Sequence, residues 1–329
     1  PFAVAQRLPP LDPLQGCVVA VGCATTLAVR GWRHRAAVLL CAALTWGVAE
    51  RGIVDQMQPE GVLRISFVDV GQGDAALVDF PDGSLGLIDT GPGDRHPAGR
   101  ELVRALRERR RNRIDRVIIT HGHPDHDGGL ARLLNEFEVG ELWLNGQRLA
   151  EERDGSFRAL LGVARNQGVL VRFVGELCGE PHGFGGVRLE VLWPCPRYDP
   201  ALDLNDNSLT VLLSYGTRRA LMTGDLEAAA EAELLAGALI PSVDILKVGH
   251  HGSKTSSTLS FVARAAPTVA VISVGKHNRY GHPHPEVIAR LRATGGRVLR
   301  TDTDGGVEIE TDGERLRIRS WRDDVDGQP

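Results

Sequence analysis

The sequence predicts an α/β fold in which two sheets stack face to face and carry helices on their outer sides, four layers in all. Three observations carry that expectation. From about Val62 onward, short apolar runs alternate with segments of helical spacing and are punctuated by Gly, Pro and Asp. The stretch AALVDF-PDGS-LGLIDTG (75–91) is echoed by SLTVLLSY-GTR-RALMTGD (208–225), in each case two strands, a tight turn, and a second strand ending in an acidic residue beside glycine. The chain, at 329 residues with 42% hydrophobic and 24% charged, is long and apolar enough for two such halves to bury both sheets.

The elements follow in order. RISFVDV (64–70), AALVDF (75–80) and LGLIDT (85–90) read as strands, the last two joined by the turn at Pro81-Asp82-Gly83. A helix over 98–110 leads to the strand RVIIT (116–120), and LARLLNEF (130–137) is helical before the strand ELWLN (141–145). Further strands are expected at 169–174, 187–193, 208–215, 219–224, 243–248 and 268–274, with helices at 228–239, 259–265 and 285–293. VEIETDGERLRIRS closes the domain as a hairpin turned at Asp312-Gly313. The expected organisation is therefore an apolar segment over 1–60, one α/β domain over 61–322 and a flexible tail over 323–329.

The amino-terminal segment has its own character. Residues 16–29 and 36–49 carry no charge and are separated by the basic RGWRHR (30–35). Each run is about 14 residues, against the roughly 20 that span a bilayer. They read either as buried core helices or as a membrane hairpin whose basic connection stays cytoplasmic; the lack of an amphipathic face favours the membrane. A first residue that is Pro1 rather than methionine suits a piece of a longer polypeptide.

Composition excludes several classes. Apolar content is too high and the net charge of −4 too small for general disorder. A pI near 6.3 argues against a wholly basic nucleic-acid binder. Five cysteines without a C-x-x-C pair do not make a disulfide framework, and Cys17, Cys23 and Cys41 read as small hydrophobes.

Eight of the eleven histidines fall in three tracts, at 121–126, 250–251 and 277–284. In THGHPDHDGG (120–129), His121 and His123 are two apart and point the same way from an extended strand end. Pro124 then turns the chain and brings Asp125 and His126 round, so that four ligand-type side chains meet. Imidazole and carboxylate without thiolate suit Zn²⁺, Mn²⁺ or Fe²⁺. Asp225, at a strand end, is either a helix N-cap or a carboxylate bridging two ions. The pair His250–His251 follows the strand DILKV, with His250 preferred over His251 as a ligand.

These residues resemble the metallo-β-lactamase superfamily. His121-x-His123-x-Asp125-His126 matches its H-x-H-x-D-H motif, Asp89-Thr90-Gly91 its early acidic element, Asp225 its bridging aspartate and His250 its last histidine motif. The likeness covers roughly 62–320 and implies an αββα sandwich with a metal site at one edge of the two sheets. FVDVGQGD (67–74), Asn207-Ser208-Leu209, LKVGHHGSKTSS (246–257) and HNRYGHPHPEV (277–287) look, more narrowly, like the C-terminal domain of ComEC competence proteins. Those are membrane channels that import single-stranded DNA beside a soluble domain thought to degrade the other strand. The resemblance implies DNA as partner, the bacterial cell membrane as location through the apolar segment, and the rest of a longer channel polypeptide upstream.

One departure stands out. Superfamily hydrolases place a further histidine before the bridging aspartate; here His182 is the only histidine between Asp127 and Asp225, and the expected position holds Asp206-Asn207-Ser208. Asn207 could serve as a weak oxygen ligand, leaving one ion loosely held and Mn²⁺ as plausible as Zn²⁺. A β-lactam hydrolase is disfavoured for the same reason.

The family pattern then gives a working assignment. His121 and His123 hold one ion, Asp125, His126 and His250 hold the second, and Asp225 bridges them. Asp125 is catalytic as well as a ligand, and His251 or His282 donates a proton to the leaving oxygen. Asp89 and Asp74 orient imidazoles from behind. Ser253, Lys254 and Thr255 contact phosphate at a following helix N-terminus or are an ordinary capping segment. The basic stretch 104–113 reads as a helix end more than as a DNA contact, and 276–280 is the better substrate tract. Three functions remain: a metal-dependent nuclease domain of a competence protein, a stand-alone metallohydrolase of another ester, and a non-catalytic module that grips DNA.

Overall fold

Residues 13–58, 60–93 and 97–322 are described by a computed structural model. The expected tail at 323–329 and the first twelve residues of the apolar segment lie outside the described residues.

Two helices open the chain, α1 (Pro13–Ala28) and α2 (Trp32–Met57), broken at Gly31, whose φ of 97° suits only a residue without a Cβ. The second apolar run extends well beyond 14 residues, because Glu50, Arg51 and Asp55 continue the helix without interrupting its hydrogen bonding. Trp32–Asp55 is, by length and composition, apolar enough to cross a membrane, and none of it is buried. The reading of these runs as buried core helices therefore fails: Leu39, Leu40, Leu44 and Val48 stand exposed. The hairpin meets the rest of the chain through polar contacts. Arg110 donates to Glu50 at 3.0 Å and Gln58 donates to the carbonyl of Arg109 at 2.9 Å.

Fifteen strands are present among the described residues. The first sheet holds β1 (Leu63–Phe67), β2 (Ala76–Asp79), β3 (Leu85–Ile88), β4 (Arg113–Ile119), β5 (Glu138–Leu144) and β6 (Leu170–Phe173). The second holds β7 (His182–Phe184), β8 (Val187–Trp193), β9 (Thr210–Tyr215), β10 (Arg218–Met222), β11 (Ile245–Lys247), β12 (Val269–Ile272) and β13 (Arg297–Arg300). The closing hairpin, β14 (Val307–Thr311) and β15 (Leu316–Ser320), returns to the first sheet, whose order is β15-β14-β1-β2-β3-β4-β5-β6. The second runs β13-β12-β11-β10-β9-β8-β7.

The internal echo is a repeat of topology. Pairing is antiparallel through β1-β2-β3 and parallel through β3-β4-β5-β6; it is likewise antiparallel through β8-β9-β10 and parallel through β10-β11-β12-β13. Asp89 follows β3 as Asp225 follows β10, and the His121 loop follows β4 as the His250 loop follows β11. Ligand-type side chains thus gather at the carboxyl ends of equivalent strands, where open α/β sheets place their sites.

Three apolar clusters define the four layers. Ile65, Phe67, Val78, Ile118 and Trp143 of the first sheet meet Leu189, Val211, Leu213, Met222 and Val271 of the second. Leu102, Leu106, Leu133 and Leu161 cover the outer face of the first sheet, and Leu234, Phe261, Val262 and Leu291 that of the second. The helix Ser156–Asn166 and the short strands β7 and β13 were not expected; β13 is a four-residue edge strand with Arg at both ends, too short and polar for its alternation to register. Cys178 and Cys195 form a disulfide, one bond rather than a framework, joining residues 17 apart in no recognised motif.

The basic stretch 104–113 is consumed internally. Arg109 and Arg111 both bind buried Asp79, at 2.6 Å each, and Arg109 also reaches Glu308 at 3.0 Å. Arg104 pairs with Glu108, Arg107 with Glu136 and Arg113 with Asp115. These contacts tie the stretch to β1, β2 and β14 and, through Arg110, to α2, and leave it little to offer a nucleic acid.

Candidate metal centre

β4 ends at Ile119, and Thr120 and His121 begin the loop, the His121 side chain buried. His123 takes extended backbone (φ −83°, ψ 147°), Pro124 opens a single helical turn, and Asp125 and His126 project from that turn. Gly129 lets the turn sit on the first sheet, since a Cβ there would lie 2.4 Å from the carbonyl oxygen of Thr90.

His126 is fully buried between two carboxylates: Nδ1 lies 2.8 Å from Asp89 and Nε2 lies 3.1 Å from Asp225. Asp89 is itself fixed, accepting 2.7 Å hydrogen bonds from the Thr120 amide and from its hydroxyl. It therefore stands on the Nδ1 side of the imidazole, away from Asp225. His251 holds its Nδ1 2.9 Å from the carbonyl of Ser273, with Nε2 3.4 Å from Asp125 and 3.3 Å from Asp225. Asp74 lies behind His251, at 3.4 Å from Nδ1.

The structure places the histidine pair the other way round from the expectation. His250 turns outward, its Nδ1 2.5 Å from Glu227 and its Nε2 4.0 Å from Asp225. His250 and His251 both have left-handed backbone (φ 44° and 51°), so the loop twists and exchanges which imidazole faces the site. Two consecutive non-glycine residues in that region are a departure held by the surrounding packing, of a kind found at functional sites.

Ligand atoms of His121, His126 and Asp225 lie within 4.8 Å of one another, as do those of Asp125, His126 and His251, and those of Asp74, Asp225 and His251. His123 joins none of these groups among the described residues; its Nδ1 contacts His121 Nε2 at 3.0 Å. Asn207 is not at the centre. Its amide donates to the carbonyls of Asp199, Leu202 and Asp203 and its oxygen accepts from the Asp199 amide, so it is fully spent on the preceding loop. Ser208 stands there instead, its hydroxyl 3.3 Å from His121 Nδ1 and accepting from the Asp225 amide at 3.1 Å.

Ser253 bonds Thr255, Lys254 is exposed, and the next helix begins only at Leu259 with Thr258 as its cap, so no helix N-terminus lies at Ser253 to hold phosphate. The residue that sequence reasoning missed is Lys247, buried in β11, in contact with Asp74, 3.7 Å from Asp225 and donating to the carbonyl of Gly224 at 2.9 Å. A lysine inside an apolar parallel strand, three residues before a histidine pair, was the available signal.

Electrostatics tie the groups together. Burial alone would raise the Asp125 carboxyl, but His251 and His126 outweigh it and hold it at about 2. Asp225 is likewise held well below the usual range, burial being overcome by His126 and His251. Burial would lower those two imidazoles, yet Asp225 raises both well above the ordinary value, helped by Asp89 for one and Asp74 for the other. The carboxylates thus draw positive charge into a buried space. His282 differs: burial and the neighbouring His250 and His251 push it down to about 4, so it is uncharged at pH 7 and carries no extra proton to give to a leaving group. His251 sits in the candidate ligand groups, with Nδ1 on the Ser273 carbonyl and Nε2 turned toward Asp125 and Asp225.

His126 Nε2 and His251 Nε2 are buried, make no well-directed hydrogen bond, and both lie against Asp225 Oδ2, at 3.1 and 3.3 Å. Leaving such atoms unpaired is costly. Two imidazole nitrogens and a carboxylate oxygen facing one space match the donor set of a divalent transition-metal ion.

Residues 68–277 match the family model described as the metallo-β-lactamase superfamily, and the chain belongs to that superfamily, whose members are typically metal-dependent hydrolases. The resemblance to competence proteins read from the motifs is met as well. The chain is 34% identical over 262 residues to ComE operon protein 3 of Bacillus subtilis, covering 74% of this chain and 32% of that one. It is 31% identical over 311 residues to competence protein ComA of Neisseria gonorrhoeae, covering 94% and 40%. The chain spans about a third of the length of the curated relatives it matches. Among solved structures it is similar to CmlA, a diiron β-hydroxylase from Streptomyces venezuelae, with TM-score 0.50 and 15% identity over 80% of this chain and 55% of that one, a likeness of fold alone.

Proposed function

We propose that residues 61–322 are the metal-dependent phosphodiester hydrolase of a longer DNA-uptake protein, and that α1 and α2 hold it at a bacterial membrane. The observation that carries this reading is the convergence of Asp125, His126, His251 and Asp225 from three separate loops, with buried ligand atoms facing one space. Those four residues would hold one divalent ion tightly. Asp225 with His121 and His123 would border a second, held more loosely because Ser208 stands where a further imidazole is needed. Zn²⁺ and Mn²⁺ both suit the donors. When bound, such an ion acidifies water and stabilises negative charge on phosphate oxygens.

The chain's own residues prepare that chemistry. Asp89 accepts from His126 Nδ1–H and turns Nε2 inward, where a bound ion would take the place of the Nε2 proton; the Ser273 carbonyl does the same for His251. Asp125, held ionised to about pH 2, is an anionic ligand at any physiological pH. His282, uncharged at pH 7, stacks beside His251 with ring centroids 6.5 Å apart and adds no further positive charge to the site.

The test is to incubate the full chain, in detergent, with single- and double-stranded DNA and Mn²⁺ or Zn²⁺, beside the Asp125→Ala, His126→Ala double variant. Cutting by the parent alone supports the reading; equal cutting by both indicates contamination and removes it. Asp89→Asn is expected to weaken metal affinity about 10- to 100-fold by freeing the His126 ring, as read by competition with a coloured chelator. An unchanged affinity would sink the orienting role.

A further inference from the structure

A groove of about 1400 Å³ runs past Asp125 and is lined by Lys276, Arg279, Tyr280 and Trp321. Tyr280 is 55% and Trp321 46% exposed, unusual for rings of this size. Each is backed on one face. Tyr280 stacks on His282, centroids 5.7 Å apart and planes 27° apart, while the exposed Arg279 guanidinium lies 5.2 Å from its centroid and donates to its hydroxyl at 3.1 Å, a contact an incoming base would displace. Trp321 lies against Gly306, where a Cβ would come within 2.8 Å of the indole, and its amide donates to the Gly306 carbonyl at 3.0 Å.

The loop that carries Tyr280 is fixed in shape. Asn278 donates to the carbonyls of Gly275 and His282 at 3.1 and 2.6 Å and accepts from the amides of Tyr280 and His282 at 3.1 and 3.0 Å. Lys276 and Arg279 supply two cations to the groove, but Asp69 and Glu101 line it too. Its pull on a phosphate backbone is therefore weak, and the rings, not the charges, offer the stronger grip.

We infer that Tyr280 and Trp321 form a base-stacking subsite beside the metal centre that takes unpaired nucleotides. An aromatic ring backed on one side offers its other face to a base, worth about 1–3 kcal/mol per base and indifferent to sequence. Bases inside a duplex are already stacked on each other and cannot use it. The inference rests on the proposal that DNA is the substrate, and it adds strand state and the residues that select it.

Binding separates the two. The full chain in detergent, with a chelator to prevent cutting, is titrated into a fluorescein-labelled oligothymidylate and into a hairpin duplex of similar length. The parent is expected to prefer the single strand, and Tyr280→Ala or Trp321→Ala each to lose roughly 5- to 150-fold of that affinity. Tyr280→Phe and Trp321→Phe, which keep a ring, are expected to retain most of it. The losses are expected to be alike at 50 and 200 mM salt, as stacking requires and counterion release does not. Alanine variants that bind the single strand as the parent does would overturn the subsite, and so would binding to neither oligonucleotide, which would point instead to a docking place for a protein. If the parent fails to cut DNA while the alanine variants lose single-strand binding, the subsite stands and the hydrolase reading falls.

Discussion

Asp225→Asn is expected to lower DNA hydrolysis by about 10³-fold or more and to strip the centre of most of its metal. The substitution keeps the shape of the side chain and removes its charge. Asp225 is the group around which the centre is organised: it lies 3.1 Å from His126, 3.3 Å from His251 and 3.7 Å from Lys247. Its charge is also the first cause that lifts the two imidazoles against burial. Bound divalent ions supply several kcal/mol of transition-state stabilisation, and at about 1.36 kcal/mol per decade that amounts to three or more orders of magnitude. Single-turnover cleavage and elemental analysis of the same preparation read the two effects together. A variant within twofold of the parent in both rate and metal content would show that Asp225 is a strand-end cap and no ligand, the plainer of the two roles its position allows.

How far the site could be read from residues alone depended on whether a local rule governed the side chain. In the loop at 120–129 the proline acts locally and turns Asp125 and His126 toward His121, whereas alternation paired His123 with His121 although His123 joins none of the candidate ligand groups among the described residues. The hairpins 75–91 and 208–225 could be recognised as a pair because each ends on an acidic residue, and the topology repeats accordingly. At His250 and His251 alternation misled, since two left-handed residues in succession abolish the regular geometry on which it depends. Asn207 failed for another reason: residue type and position suited a ligand, but the side chain answers four backbone groups of the loop it closes. The partners that consume 104–113, among them Asp79, Glu136 and Glu308, are remote in sequence or on other elements, so composition showed the charge and not its destination.

Lys247→Met is the substitution expected to cost most in stability. Lys247 is 3% exposed, and its ammonium touches Asp74 and faces Asp225 and the Gly224 carbonyl. Methionine fills nearly the same volume, so cavity formation contributes little and the charge is what is lost. Removing one partner of a buried ion pair leaves the other uncompensated and typically costs about 3–5 kcal/mol. Burial would lower the lysine's pKa, yet Asp74 and Asp225 hold it above the ordinary value, so the cation is present at any physiological pH. In a domain of this size the loss corresponds to roughly 6–20 °C in melting temperature, measured in detergent with a chelator present. Added Mn²⁺ should recover part of the drop, because a divalent ion at Asp225 neutralises one of the two carboxylates that the lysine served. Asp74, on the far side of His251 from the unpaired Nε2, would remain uncompensated, so recovery should be incomplete. A Met variant that melts within a degree or two of the parent without metal would mean that the imidazolium charges of His126 and His251 already balance both carboxylates, and Lys247 would then be a passenger in β11.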